Sequence, residues 1–253
     1  MASPSLPTTA SSVLPRPKLD AQQVRDRSFY LIMAIASTFL IFLAFARSFY
    51  LKAYFQTPQL TPLVELHGII FSIWMVFFVV QTALIASNRP NIHRLLGYAG
   101  GVLASGMIVL GTIVAVGAER RGFRQGGADP ETNFLFSLSD IVTFAIFVAA
   151  GFLWRHRREV HQRFMLLAVV AGLLDAAPPR LPLIGGHPAR MAIIGLAFLF
   201  AGPIYDLISR RRVHMTYILG CAFALVTGPP VRIALAATPG WHNIAKWLVG
   251  FGN

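Results

Sequence analysis

The chain has 253 residues, 55% hydrophobic and only 13% charged, with a mean hydropathy of +0.62. That balance is too apolar for a soluble globular domain and makes a bilayer the solvent. The formal net charge of +12 would suit nucleic acid if the cations formed one patch, but they are scattered over the ends of apolar runs, which argues against such a partner.

Residues 1–27 are rich in Pro, Ser, Thr and Ala and contain no apolar core, so a disordered tail is expected there rather than a cleaved signal peptide. Seven apolar stretches follow: Phe29 to Phe49, Leu63 to Ala86, Leu95 to Val116, Asn133 to Trp154, Phe164 to Ala177, Met191 to Ile208 and Met215 to Ala237. A spanning helix needs roughly 20 apolar residues, so five of these qualify outright and the fifth and sixth are marginal. Pro178-Pro179 stops the fifth, and Gly228-Pro229-Pro230 must kink or split the seventh. The expected fold is all-α, a polytopic transmembrane bundle of about seven spans over residues 28–238, since no connection, not even Ala118 to Thr132, has room for a soluble domain. In residues 239–253, Trp241, Ile244, Trp247, Leu248 and Phe251 recur at helical spacing beside Lys246, as in an amphipathic interfacial helix.

Thirteen cations fall on the side of the N-terminus and eight on the other, with Arg155 to Arg158 and Arg210 to Arg212 both in the larger group. By the positive-inside rule this predicts an integral protein of the bacterial cytoplasmic membrane with its N-terminus inside and its C-terminus outside. The single Cys221 excludes an internal disulfide.

Function has to be sought among the few ionisable groups that such a chain carries into hydrocarbon. His93-Arg94 opens the third helix and His161-Gln162-Arg163 the fifth, and both helices start on the same side, so the two imidazoles lie at similar depth. Gly97, Gly101 and Ser105 follow His93 at i+4 steps, and Met165, Ala168, Gly172 and Asp175 continue the His161 face. Small-residue faces ordinarily serve helix packing, and His or Arg at a helix mouth ordinarily meets lipid headgroups. The functional reading is a b-type haem held by His93 and His161, with Arg94 and Arg163 pairing its propionates and electrons passing to or from a quinone or another redox protein.

A second set collects toward the other side: Glu65 and His67 on the second helix, Asp140 on the fourth, Asp175 at the end of the fifth and Arg232 past the Pro-Pro break. Buried charges must pair, so Arg232 is expected to meet Asp140 or Asp175. The set reads as a structural network, or as an outward-facing polar cavity for binding or transport of an ion or small molecule. A metal at His67 and the carboxylates has no supporting ligand spacing. Phe71, Trp74, Phe78 and Gln81 read as core packing, and Asp206, near Arg210 to Arg212, as half of an ordinary surface ion pair.

His67-Gly68, Trp74, Gln81 and His93-Arg94-Leu95-Leu96-Gly97-Tyr98, together with His161-Gln162-Arg163-Phe164-Met165, resemble a bacterial family with paired His-Arg-x-x-Gly and His-x-Arg-x-Met elements, the group described as domain of unknown function 2306. The likeness covers roughly the second to fifth helices and implies a membrane location without implying an activity. A looser likeness is to the cytochrome b561 type, in which histidines on four successive helices hold two haems. Here the fourth helix carries Asp140 and no histidine, so His67 lacks a partner and that likeness implies at most one bis-histidine haem.

Overall fold

Six of the nine α-helices among the described residues begin on a proline, where the missing N–H removes nothing from the hydrogen-bond ladder and the fixed φ favours the first turn. The computed structural model describes residues 20–122 and 129–250. The helices are α1 (Ala21–Phe45), α2 (Pro62–Ala86), α3 (Pro90–Arg120), α4 (Pro130–Leu153), α5 (Arg158–Gly172), α6 (Pro188–Arg210), α7 (Met215–Val226), α8 (Pro229–Ala236) and α9 (Pro239–Gly250). No strand occurs among the described residues.

Seven segments are long and apolar enough to cross a bilayer, and the chain is a multi-pass, all-α membrane bundle. The two marginal spans reach full length in different ways. The fifth runs from Arg158 to Arg180 by adding 3-10 turns at Leu174–Ala176 and Pro178–Arg180, and the sixth starts early, at Pro188. The seventh, Met215–Ala236, is two half-helices separated at Thr227 and Gly228. Helices α1, α3, α5 and α7 begin at one end of the bundle, here called proximal, and α2, α4 and α6 begin at the distal end.

Helix α1 begins at Ala21, inside the segment expected to be tail, because the Asp20 carboxylate caps it by accepting from Gln23 N–H at 2.7 Å. The rest of that expected tail, residues 1–19, lies outside the described residues, as do 123–128 of the α3–α4 connection and 251–253. Helix α9 rests against α3 and α4, with Trp241 packed on Phe134 and its Nε1–H donating to the Glu131 carbonyl at 3.0 Å. It exposes Ile244 and Trp247, giving the amphipathic pattern read from the sequence.

Helix α5 is the axis of the molecule. Leu166, Leu167, Ala168, Val169 and Val170 are all buried, so beyond Arg163 this helix is apolar around its whole circumference, and it is surrounded by α1, α4, α6 and α7. Large apolar side chains on the outer helices, such as Phe39, Val102 and Leu219, point outward, as a lipid solvent requires. Helices α4 and α5 approach closely at Gly172, where an added Cβ would lie 2.8 Å from the backbone N and Cα of Phe144. Gly172→Ala is therefore expected to cost about 1–3 kcal/mol, read as a lower melting temperature of the detergent-purified protein. An unchanged melt would mean that α4 and α5 separate there at no cost.

Candidate functional site

At the proximal end, His93 stands one turn into α3 and His161 in the first turn of α5. Their ring centroids are 6.1 Å apart and the planes are inclined at 78°. The His161 Nδ1 lies 2.8 Å from the Gly151 carbonyl oxygen of α4. A carbonyl oxygen only accepts, so Nδ1 carries the proton, and the neutral ring keeps a lone pair on Nε2. The His93 Nδ1 faces the side-chain amide of Gln81, on α2, at 2.7 Å. No hydrogen bond to either Nε2 occurs among the described residues. Beside the pair, a Cβ added at Gly97 would meet no atom within 4 Å, and one at Gly101 would only touch the Phe152 ring at 3.4 Å.

The two arginines expected to serve this site part company. Arg94 is exposed, its guanidinium donating among the described residues only to Asn91 Oδ1 at 2.5 Å, and its long stem can turn toward a ligand acid. Arg163 is fully buried and committed elsewhere. Its Nε and Nη2 form a fork on Asp206 at 3.0 and 2.8 Å, while Nη1 donates to the carbonyl and carboxylate of Glu159 at 2.6 and 2.7 Å. It is not available to a propionate, because α6 brings an acid to it from 43 residues away.

Asp206, expected at the surface, is correspondingly buried. It also accepts from Arg210 Nη1 at 3.0 Å and from the His214 backbone N–H at 3.2 Å. Arg210 in turn donates to Asp26 of α1 at 2.5 Å, and the Tyr205 hydroxyl donates to the same carboxylate at 2.7 Å. One polar lock thus ties α1, α5, α6 and the start of α7. In the connection before α7, burial and then the neighbouring Arg163 hold the His214 imidazole below the ordinary histidine range. The neutral ring caps α7 by accepting from Thr216 N–H at 3.1 Å.

At the distal end Arg232 Nη1 reaches Asp140 Oδ1 at 2.5 Å and Asp175 Oδ2 at 3.2 Å. Its Nε donates at 2.6 Å to the Thr227 carbonyl at the break between α7 and α8. Arg180, which the sequence reading left aside, joins this group. Its guanidinium lies over the Phe45 ring at 4.6 Å and its charge acts on both Asp140 and His67. His67 packs on Phe71 at 4.0 Å, and its Nδ1 is shielded from solvent without a hydrogen-bond partner among the described residues. Glu65 does not join them, being paired with Lys52 in the α1–α2 connection.

Two arginines and two aspartates balance, and no group of three or more His, Cys, Asp or Glu converges as a metal-ligand set among the described residues. Gln81 was readable in one respect: it is the only amide in the second apolar run, and a buried amide in hydrocarbon needs a partner. Neither a protein-family model, nor a curated protein, nor a solved structure matches the chain.

Proposed function

We propose that this protein is an electron carrier of the bacterial cytoplasmic membrane, holding one b-type haem between His93 and His161 and exchanging electrons with a membrane quinone or another redox protein. The observation that carries the reading is the disposition of the two imidazoles. A histidine nitrogen sits about 2.0 Å from a metal it binds, so two rings sharing one metal have centroids about 6 Å apart, and the separation here is 6.1 Å. An ordinary edge-to-face contact has a similar spacing. What favours ligation is that the Gly151 carbonyl holds the His161 proton on Nδ1 and leaves Nε2 as a donor to metal, the arrangement in which a second-shell group orients a histidine ligand.

The surrounding residues have matching tasks. Gly97 and Gly101 keep side-chain bulk away from the pair, and Arg94 supplies a mobile cation for a ligand carboxylate. The reading needs one haem only, in keeping with the absence of histidine on α4 and with the looser likeness to the cytochrome b561 type. The cation-rich proximal end is the cytoplasmic one, with the N-terminus inside and the C-terminus outside.

Protein purified from haem-sufficient cells is expected to show a low-spin b-type spectrum that sharpens on reduction. His93→Ala and His161→Ala should each abolish or strongly alter it, whereas His67→Ala, at the other end of the bundle, should leave it intact. Folded protein with no Soret band would overturn the reading. Weight would then move to binding or transport at the distal cluster, which the unpartnered His67 Nδ1 beside Arg180 favours.

A further inference from the structure

We infer that Gln81 is the positioning residue for His93, a side-chain amide that turns over when His93 takes metal and that sets the reduction potential of the loaded site. The inference rests on the haem reading above.

Gln81 is only 8% exposed, in the apolar second span, so both ends of its amide have to find partners inside the protein. One orientation satisfies both ends of the amide. The NH2 group donates to His93 Nδ1 at 2.7 Å and to the His93 carbonyl at 3.3 Å, and the oxygen accepts from Gly97 N–H at 3.3 Å. In that state Nδ1 is an acceptor, the neutral ring carries its proton on Nε2, and no lone pair is left there for a metal. Turning the amide over places its oxygen against Nδ1 and gives up the bonds to the His93 carbonyl and from Gly97 N–H, a cost that metal ligation at Nε2 has to offset. The proton then sits on Nδ1 and Nε2 becomes a ligand. The terminal torsion of glutamine is broad and two-fold, so the exchange needs no backbone movement.

The two histidines therefore differ. His161 is permanently prepared, because a backbone carbonyl cannot reverse its role. His93 is conditional on Gln81. In the loaded site the Gln81 oxygen makes the His93 imidazole more basic, which favours ferric over ferrous iron.

The test uses the full chain in detergent, as wild type, Gln81→Glu and Gln81→Leu, with spectroelectrochemical midpoint potentials and, on haem-free protein, the His93 tautomer read from nitrogen-15 spectra. A carboxylate only accepts, so Gln81→Glu should keep the low-spin spectrum and favour the ferric state by on the order of tenfold, a downward shift of about 59 mV for a one-electron couple. Gln81→Leu should shift the potential upward. Without haem, His93 should be the Nε2–H tautomer in wild type and Nδ1–H in Gln81→Glu. Equal potentials in haem-loaded wild type and variants, or one His93 tautomer in both haem-free proteins, would overturn the role of Gln81 while leaving the haem reading standing. A wild type without a Soret band overturns the haem reading, and the tautomer measurement still decides the contact. Should Gln81→Leu fail to fold, Gln81→Glu, of the same size, carries the test.

Discussion

Asp206→Ala is expected to destabilise the protein by about 3–5 kcal/mol, the cost of leaving a buried charge without its partner. Asp206 accepts from Arg163 Nε and Nη2, from Arg210 and from the His214 backbone N–H. Its removal strands a guanidinium that no solvent reaches. Glu159 cannot compensate, since its side chain is 54% exposed and it reaches Arg163 only through Nη1. The loss should appear as a lower melting temperature and earlier unfolding in denaturing detergent. Replacing both members, Arg163→Met with Asp206→Leu, should recover most of it, because an apolar pair of similar volume carries no desolvation cost. An Asp206→Ala variant that melts with wild type would mean that Arg163 reaches water and that no lock exists among α1, α5 and α6.

Arg232→Met is expected to have the second largest effect, about 3 kcal/mol and on the same principle. It leaves Asp140 and Asp175 facing each other, with Arg180 as the remaining cation nearby. The cost is smaller than at Asp206 because the two aspartate side chains keep 19% and 28% of their exposure. A second loss accompanies it. Arg232 Nε also satisfies the Thr227 carbonyl at the helix break, so α8 loses its tie to the end of α7. Adding Asp140→Asn should restore part of the stability and leave the deficit due to Asp175. Unchanged thermal stability and folding yield for Arg232→Met alone would place the guanidinium in water or headgroups rather than between the two carboxylates.

The architecture was legible in the sequence because its causes are local. Apolar length makes spans, Pro178-Pro179 and Gly228-Pro229 interrupt helices wherever they stand, and the matched starts of α3 and α5 put His93 and His161 at one depth. Pairing was less legible, since it depends on which helices become neighbours. Arg232 had acidic candidates on the right side of the bundle, and the structure brings it to Asp140 and Asp175. Arg163 had only Glu159 within a helical turn, and nothing in the chain pattern points across 43 residues to Asp206. Asp26 looked like part of a polar tail because one carboxylate at the mouth of a span is indistinguishable from headgroup contact until Arg210 and Tyr205 arrive from α6. Glu65 was assigned to the distal group by depth alone, and depth cannot tell a helix face turned toward the bundle from one turned toward Lys52.

The interruption at Gly228 bears on biogenesis. Pieces of 12 and 8 residues extend about 18 and 12 Å at 1.5 Å per residue, and neither alone crosses hydrocarbon about 30 Å thick. The second piece also carries Arg232, a charge whose insertion is penalised, by up to about 3 kcal/mol for an arginine at a helix centre. Such a segment is a poor client for autonomous partitioning out of the translocon. What makes it acceptable is on other helices, the carboxylates of Asp140 and Asp175. The seventh span is therefore expected to be held in the membrane by the fourth and fifth, whose carboxylates pair its arginine.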